Sequence, residues 1–318
     1  MAEYSILDTS VMVHLDISVW SGRAKLRRED IPNADNLPPS ALASLGSKKL
    51  IDPSELTVFN TLRARASTML DKMGVRFLGG WLLHKDRLGD ADSELLLIRN
   101  EFVAAASEFI DKYEANVESW LGNFPEWASV IRPVLPSKFD MQRKFGFDWQ
   151  VYTVRPAEDN CGNMTDQLND LPNAALREAI GMVWDIYHEV FENRTTITKR
   201  GLRPVRTLIS KLDSISYIHP MLFNVKQAFV QALGWLEPSV QDEKTVLRFK
   251  RFLLSMTNEE GIKLAFEGAP VTSSSDIEVL VSDMIGKADG SAPEAEEAEE
   301  PAQEESVSIN NMDSLGLW

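Results

Sequence analysis

Residues 92–121 read DSELLLIRNEFVAAASEFIDKYEANVESWL, a run without glycine or proline. Leu95, Ile98, Phe102, Ala106, Phe109, Tyr113, Val117 and Trp120 recur in steps of three and four. That spacing stacks side chains along one face of an α-helix. It predicts a single helix about 40 Å long at ~1.5 Å per residue, halted by Gly122. Such a stripe suits a membrane-active face, a coiled-coil seam or the core face of a bundle, and the bundle is the plainest of the three.

Working outward, residues 11–19 alternate. Val11, Val13, Leu15, Ile17 and Val19 share one face, and Met12, His14, Asp16, Ser18 and Trp20 the other. Period two with β-branched residues predicts a strand. Residues 23–51, broken by Pro32, Pro38 and Pro39, read as loop with short helical turns. Asp52-Pro53-Ser54-Glu55 is a helix start, with Asp as N-cap and Pro at the first helical position. That helix should run to Met73 and stop at Gly74. Val75 to Leu83, with Gly79 and Gly80 inside, reads as a short strand or hairpin, and Phe124 to Val134 as a short helix after Pro125. Phe145, Phe147, Trp149 and Val151 alternate with polar neighbours, a second strand signal ending at Pro156. Residues 157–170 read as polar loop.

Leu171-Pro172 then opens a long helix with Leu176, Ile180, Val183, Trp184, Tyr187, Val190 and Phe191 on its apolar side. Further helices are expected at 198–213, 220–236 and 239–257, with a small amphipathic one from Asp276 to Ile285. Short connections make neighbours antiparallel. The fold class is therefore mainly α: a helical bundle with long antiparallel helices, a minor β-sheet of two to four strands, and a disordered acidic C-terminal tail. A body over 1–267 would combine a mixed α/β N-terminal part (1–156) with a helical C-terminal part (171–267). A short amphipathic segment (268–287) and the tail (288–318) would follow. The body is expected to fold without the rest, because its core-forming periodicity ends before Gly268.

With 44% hydrophobic and 25% charged residues, the composition is that of a globular chain able to bury a core without staples. Its single cysteine, Cys161, excludes an intramolecular disulfide and a cysteine-based metal site and fits a reducing compartment. The start Met1-Ala2-Glu3-Tyr4-Ser5 has no basic or apolar leader features, and no run nears the ~18 apolar residues of a membrane span. A cytoplasmic location is expected. Charge is unevenly placed. Residues 288–318 carry nine of the 48 acids and none of the 33 bases, which leaves the rest only mildly acidic. Low hydrophobicity with such charge predicts disorder in that tail.

No phosphate-cradling loop, dinucleotide fingerprint or nucleophile elbow is present. His14, His84, His188 and His219 have no partner at metal-ligand spacing. The expectation is a non-enzymatic protein with no cofactor and no metal. Cations cluster twice, at Arg23, Lys25, Arg27 and Arg28, and at Lys199, Arg200, Arg203, Arg206 and Lys211. If 198–213 is helical throughout, Lys199, Arg203 and Arg206 share a face that suits phosphates. These cations could equally be solvated or pair with acids from Glu178 to Glu192. Pro204 and Gly201 stand against an uninterrupted helix. Trp20 and Trp149 would suit base stacking, but their strands make them core residues more simply.

Four strings carry a family resemblance: Val13-His-Leu-Asp-Ile-Ser-Val-Trp-Ser-Gly-Arg23, Leu42-Ala-Ser-Leu-Gly-Ser-Lys-Lys49, Arg76-Phe-Leu-Gly-Gly80 and Phe145-Gly-Phe-Asp-Trp-Gln-Val-Tyr152. They resemble the bacterial and phage family called domain of unknown function 3150, over about residues 10–256. The resemblance carries no catalytic residues. It implies companions: a MoxR or cobalt-chelatase-type AAA+ ATPase and a von Willebrand A-domain protein, on prophages, plasmids and integrative elements. The expected function is thus an accessory or adaptor protein of a mobile element. Its tail would dock a partner through Asp313, Leu315, Leu317 and Trp318, with an acidic side chain offered to the metal of the von Willebrand A domain. The alternative is a nucleic-acid-binding accessory in recombination that uses Lys199, Arg200, Arg203 and Arg206. A membrane-perforating protein built on the 92–121 helix is disfavoured by the lack of a long apolar hairpin.

Overall fold

The structure is a computed structural model and describes residues 5–31, 42–155, 162–236, 243–266, 271 and 273–290. Outside the described residues lie Pro32, Pro38, Pro39, Pro156 and Cys161. So does the tail from 291 onward, with Asp313, Leu315, Leu317, Trp318 and the disorder expected there.

A single helical turn, α1 (Ser5–Thr9), leads into β1 (Ser10–Ser18). A two-stranded ribbon, β2 (Arg23–Lys25) with β3 (Ser47–Lys49), comes before α2 (Thr57–Met73). The hairpin β4 (Gly74–Phe77) and β5 (Gly80–His84) feeds α3 (Leu88–Gly122). Two short helices, α4 (Ala128–Ile131) and α5 (Lys138–Gln142), bring the chain to β6 (Gly146–Tyr152). Then come α6 (Gly162–Ile186), α7 (Arg203–Ile215), α8 (Pro220–Leu236), α9 (Glu243–Ser255), α10 (Glu259–Phe266) and α11 (Ser274–Gly290). The chain is mainly helical around a small antiparallel sheet of order β4-β5-β1-β6.

The sheet separates two apolar clusters, and the side-chain alternation of its strands assigns each residue to one of them. Val13 pairs with Trp81 and Val11 with Leu83, and all four join Phe59, Leu70, Phe102 and Phe109 of α2 and α3. Met12 pairs with Leu82, and Leu82 with Val75; these point the other way, into the cluster built by α6 to α11. Hence Ser10 to Val13 are buried without a gap, whereas His14, Asp16 and Ser18 are exposed, beyond the cover of the second cluster. On α3 the stripe from Leu95 to Val117 is buried as its spacing requires. The stripe ends on Leu121, not Trp120, which is only half-buried.

Local signals set the joints. Asp52 accepts a hydrogen bond from Ser54 N at 2.9 Å and caps a 3-10 turn, Pro53–Leu56, that becomes α2. Gly74 is both the stop of α2 and the first residue of β4. A Cβ there would stand 2.4 Å from the Leu82 carbonyl oxygen, so no larger residue fits. The hairpin turns on Leu78 and Gly79, both at positive φ (44° and 77°), as a two-residue turn of the primed type requires.

Several expectations are corrected. Within 23–51 an expected helical turn forms at Arg28–Asp30, but the chain also forms the ribbon β2–β3, too short to give a periodic signal. The long helix begins at Gly162, ten residues before Pro172, so 162–170 is not loop. Buried Leu168 and Leu171 hold that first stretch against the core although Pro172 cannot donate to it. Trp184, placed on the apolar side, is 41% exposed. The 198–213 segment is helical only from Arg203, with Pro204 in its first turn, so Lys199 shares no helix face with Arg203 and Arg206. The packed core does not end at 267. Ile277, Val281 and Met284 of α11 are buried with α8 and α9, and α11 runs to Gly290, past the start expected for the tail. A body cut at 267 would lack these three core side chains.

Lys211, counted above in the second cation cluster, is 1% exposed. Its ammonium donates to the carbonyl oxygens of Asp71 and Gly74, the latter at 2.5 Å, and pairs with Glu178 at 3.0 Å. It therefore satisfies the C-terminal carbonyls of α2, where a cation also suits the helix dipole, and joins them to α6 and α7. Lys211→Met keeps the aliphatic volume but leaves those carbonyls buried and unpaired. It should lower the free energy of unfolding by roughly 3 kcal/mol, read as a lower urea midpoint at unchanged slope. Glu178→Gln, at the half-exposed end of the pair, should lose less than half of that.

Candidate functional site

Two clefts and one basic segment bring polar or aromatic groups together. The first cleft lies beside the ribbon. Arg23 pairs with Lys49, Ala24 with Lys48 and Lys25 with Ser47, which puts alternate residues on opposite faces. Lys48 turns inward. Its ammonium donates to Asp30 at 2.8 Å and to the Val130 carbonyl at 3.1 Å, and both side chains of the ion pair are about nine-tenths buried. The Lys48 hydrogen bond, with a further one from Arg27 N–H, holds the Asp30 carboxyl below its usual range. Arg23, Lys25 and Lys49 stay exposed. Arg23 and Lys49 directly oppose each other across the ribbon, a like-charge placement that destabilises it unless an anion is near.

The last turn of α3 and the turn after it supply the aromatic wall. Trp120 and Phe124 meet edge to face at 4.9 Å, and Trp127 follows one turn later. With Leu26, Val130, Ile131, Ser47, Lys48 and Lys49 they line a cleft of about 330 Å³ whose wall is mostly apolar. Phe124 is 42% and Trp127 37% exposed. The indole nitrogen of Trp120 is buried without a hydrogen-bond acceptor among the described residues. A buried tryptophan N–H ordinarily has one.

The second cleft lies on the seam between the two clusters and is lined by His84, Asp86, Arg87, Asp90, Asp213, Ser214 and Tyr217. Arg87 pairs with Asp213 at 2.8 Å, and Lys226 pairs with the same carboxylate at 3.2 Å. The His84 and Tyr217 rings meet edge to face at 4.8 Å. The Asp86 N–H donates to His84 Nδ1, which places the proton of a neutral ring on Nε2. Ser10 Oγ donates to the Tyr217 hydroxyl at 3.2 Å. These groups satisfy one another across the seam, and the arrangement fastens the two halves.

The basic segment is exposed at Lys199, Arg200, Arg203 and Arg206. Lys199 and Arg200 lie in the turn before α7, and Arg203 and Arg206 one turn apart within it. Cations at a helix N-terminus oppose its dipole, so an anion held here would relieve repulsion. Lys211, from the same stretch, pairs with Glu178 as one of the two readings required. Trp20 is buried against Phe109 and Tyr113, and Trp149 donates to Asp92 at 2.9 Å, which makes both structural. His188 lies flat on Trp184 and bonds Glu192, and His219 caps α8 by accepting from Met221 N. Among the described residues no group of three or more His, Cys, Asp or Glu is placed to hold a metal ion.

The aromatic cleft was missed in the sequence because Trp120 fits the α3 stripe by spacing. The available signal was Trp120, Phe124 and Trp127 clustered around Pro125, where a helix has to end. The four strings singled out above meet here and in the sheet: they form β1, β3, the β4–β5 turn and β6. A family model described as "Protein of unknown function (DUF3150)" matches residues 7–246. The chain belongs to this family. No curated protein and no solved structure is matched by the chain. The family span takes in the sheet, the ribbon and both clefts and ends within α9, short of α10 and α11.

Burial pushes the Tyr217 phenol from 10.0 up to about 12. The folded protein thus keeps it neutral while the unfolded chain ionises. Stability is unaffected below pH 10 and falls from there to about pH 12, by roughly 2–3 kcal/mol from this group. Denaturation midpoints measured across that window should decline, and Tyr217→Phe should flatten the decline while costing little at pH 7.

Proposed function

We propose that this member of the DUF3150 family is a non-enzymatic adaptor that binds a protein partner through the aromatic cleft beside its ribbon. The partners are an AAA+ ATPase of the MoxR type and a von Willebrand A-domain protein of a prophage or other mobile element, as the family resemblance implies. The observation that carries the docking reading is the cleft itself. Half-exposed Phe124 and Trp127 line it with Trp120, whose buried N–H has no partner among the described residues; Lys49 is in the lining and Arg23 opposes it across the ribbon. Aromatic side chains around a concave apolar base are typical anchors of protein interfaces, and a rim of one charge steers a complementary partner.

A second reading, binding of nucleic acid by Lys199, Arg200, Arg203 and Arg206, is favoured by their exposure together at the start of α7. Perforation of a membrane finds no support, since no helix among the described residues is long and apolar enough to cross one. Phe124→Ser with Trp127→Ser in the full chain should weaken binding of the purified ATPase or von Willebrand A-domain protein by at least tenfold, at unchanged thermal midpoint. Unchanged affinity for both would sink the docking reading. The second reading requires salt-steep binding to DNA or RNA that disappears when the four cations become Glu.

A further inference from the structure

We infer that the aromatic cleft is the seat of this chain's own C-terminal segment, Asp313 to Trp318, which holds it closed until a partner displaces it. The inference rests on the reading of the cleft as a docking surface and names its resting occupant.

The chemistry is complementary on three counts. The cleft is an apolar hollow of about 330 Å³, at the small end of ligand sites, and the segment brings Leu315, Leu317 and Trp318. Exposed Lys49 lines the cleft, and exposed Arg23 stands opposite it across the ribbon, with Lys25 two residues further on. Three acids of the flanking segments already carry cationic partners: Asp30 with Lys48, Glu29 with Arg27 and Glu118 with Arg132. Glu126, between two of the lining aromatics in sequence, is the acid that opposes the match. Against this rim the stretch 288–318 brings nine acids and no base. The buried Trp120 N–H lacks an acceptor among the described residues, and a peptide offers backbone carbonyls and the Asp313 carboxylate. A hydrocarbon occupant would satisfy the hollow but leave that donor orphaned.

Reach is sufficient. From Gly290, the end of α11, 28 residues run to Trp318, roughly 90 Å when extended. A folded chain of about 290 residues has a radius of gyration of roughly 19 Å, so every point of its surface is within range. Tethering gives the segment an effective concentration on the order of millimolar. Even a weak contact is then mostly closed, and an external ligand of the same cleft must compete with it.

The test uses the full chain with Trp318→p-benzoylphenylalanine, irradiated at low micromolar concentration and mapped by mass spectrometry. The expected crosslinks lie within one molecule, to residues 118–131 or 47–49, and their yield drops several-fold with Arg23→Glu and Lys49→Glu or in high salt. Crosslinks confined to other segments, or found only between two molecules, overturn the inference. As a second readout, the full chain is labelled with 5-fluorotryptophan. Leu315→Ser with Leu317→Ser should shift the fluorine resonances of Trp120 and Trp127, and unchanged resonances overturn the inference as well. Trp318→Ala should also raise the affinity of an external partner by about tenfold. If Phe124 and Trp127 are needed for that partner while Trp318 is not near the cleft, the docking reading stands and only the self-occupancy fails.

Discussion

The structure turns on one buried ammonium. Lys211 belongs to α7, yet its three partners lie on α2, on the first residue of β4 and on α6. A buried lysine is tolerated only when it is paired and hydrogen-bonded, so this contact fixes where α2 ends, where the hairpin begins and how α7 lies across both. Asp71 extends the constraint. Its backbone carbonyl faces Lys211, while its carboxylate takes Arg76 at 2.8 Å and the Trp81 N–H at 2.7 Å. Arg76 in turn lies 3.7 Å over the Trp81 ring. One residue thus joins the α6–α7 side to the strand face that packs on α2 and α3.

The sheet needs such a fastening because its two faces serve different clusters. Gly74 admits the close approach of α2's end to Leu82, and Met12, Leu82 and Val75 carry the far cluster onto the strands. Where β1 outruns that cover, His14, Asp16 and Ser18 meet water. The same happens across the ladder at Asp148 and Gln150 of β6. The burial of β1 therefore changes from continuous to alternating within one strand. This is a direct record of how far the C-terminal helices extend over the sheet.

Most of this was legible where periodicity or a capping residue spoke alone. The α3 stripe, the alternation of β1 and β6, the Asp52 cap and the Gly74 stop each follow from local stereochemistry. What escaped detection depended on tertiary contacts. The helix before Pro172 exists because Leu168 and Leu171 find a core, against the local preference of a proline. The ribbon has three residues a side, too few for a period. Lys211 reads as one more cation in a basic stretch, and only the fold shows that three acceptors wait for it.

The candidate site was the least legible for a related reason. A stripe with steps of three and four cannot say which of Trp120 and Leu121 closes it, since both continue the spacing from Val117. The helix resolves this by burying Leu121 and turning the indole of Trp120 toward the ribbon. The ribbon is held there by Lys48, whose ion pair with Asp30 and bond to Val130 lock β3 onto α4. Lys48 and Lys49 are adjacent and chemically identical, yet the pleat makes one a buried strut and leaves the other a charged rim. Side-chain alternation thus divides structure from surface in the ribbon as it divides the two clusters in the sheet. Where the aromatic cleft opens is set by a strand only three residues long.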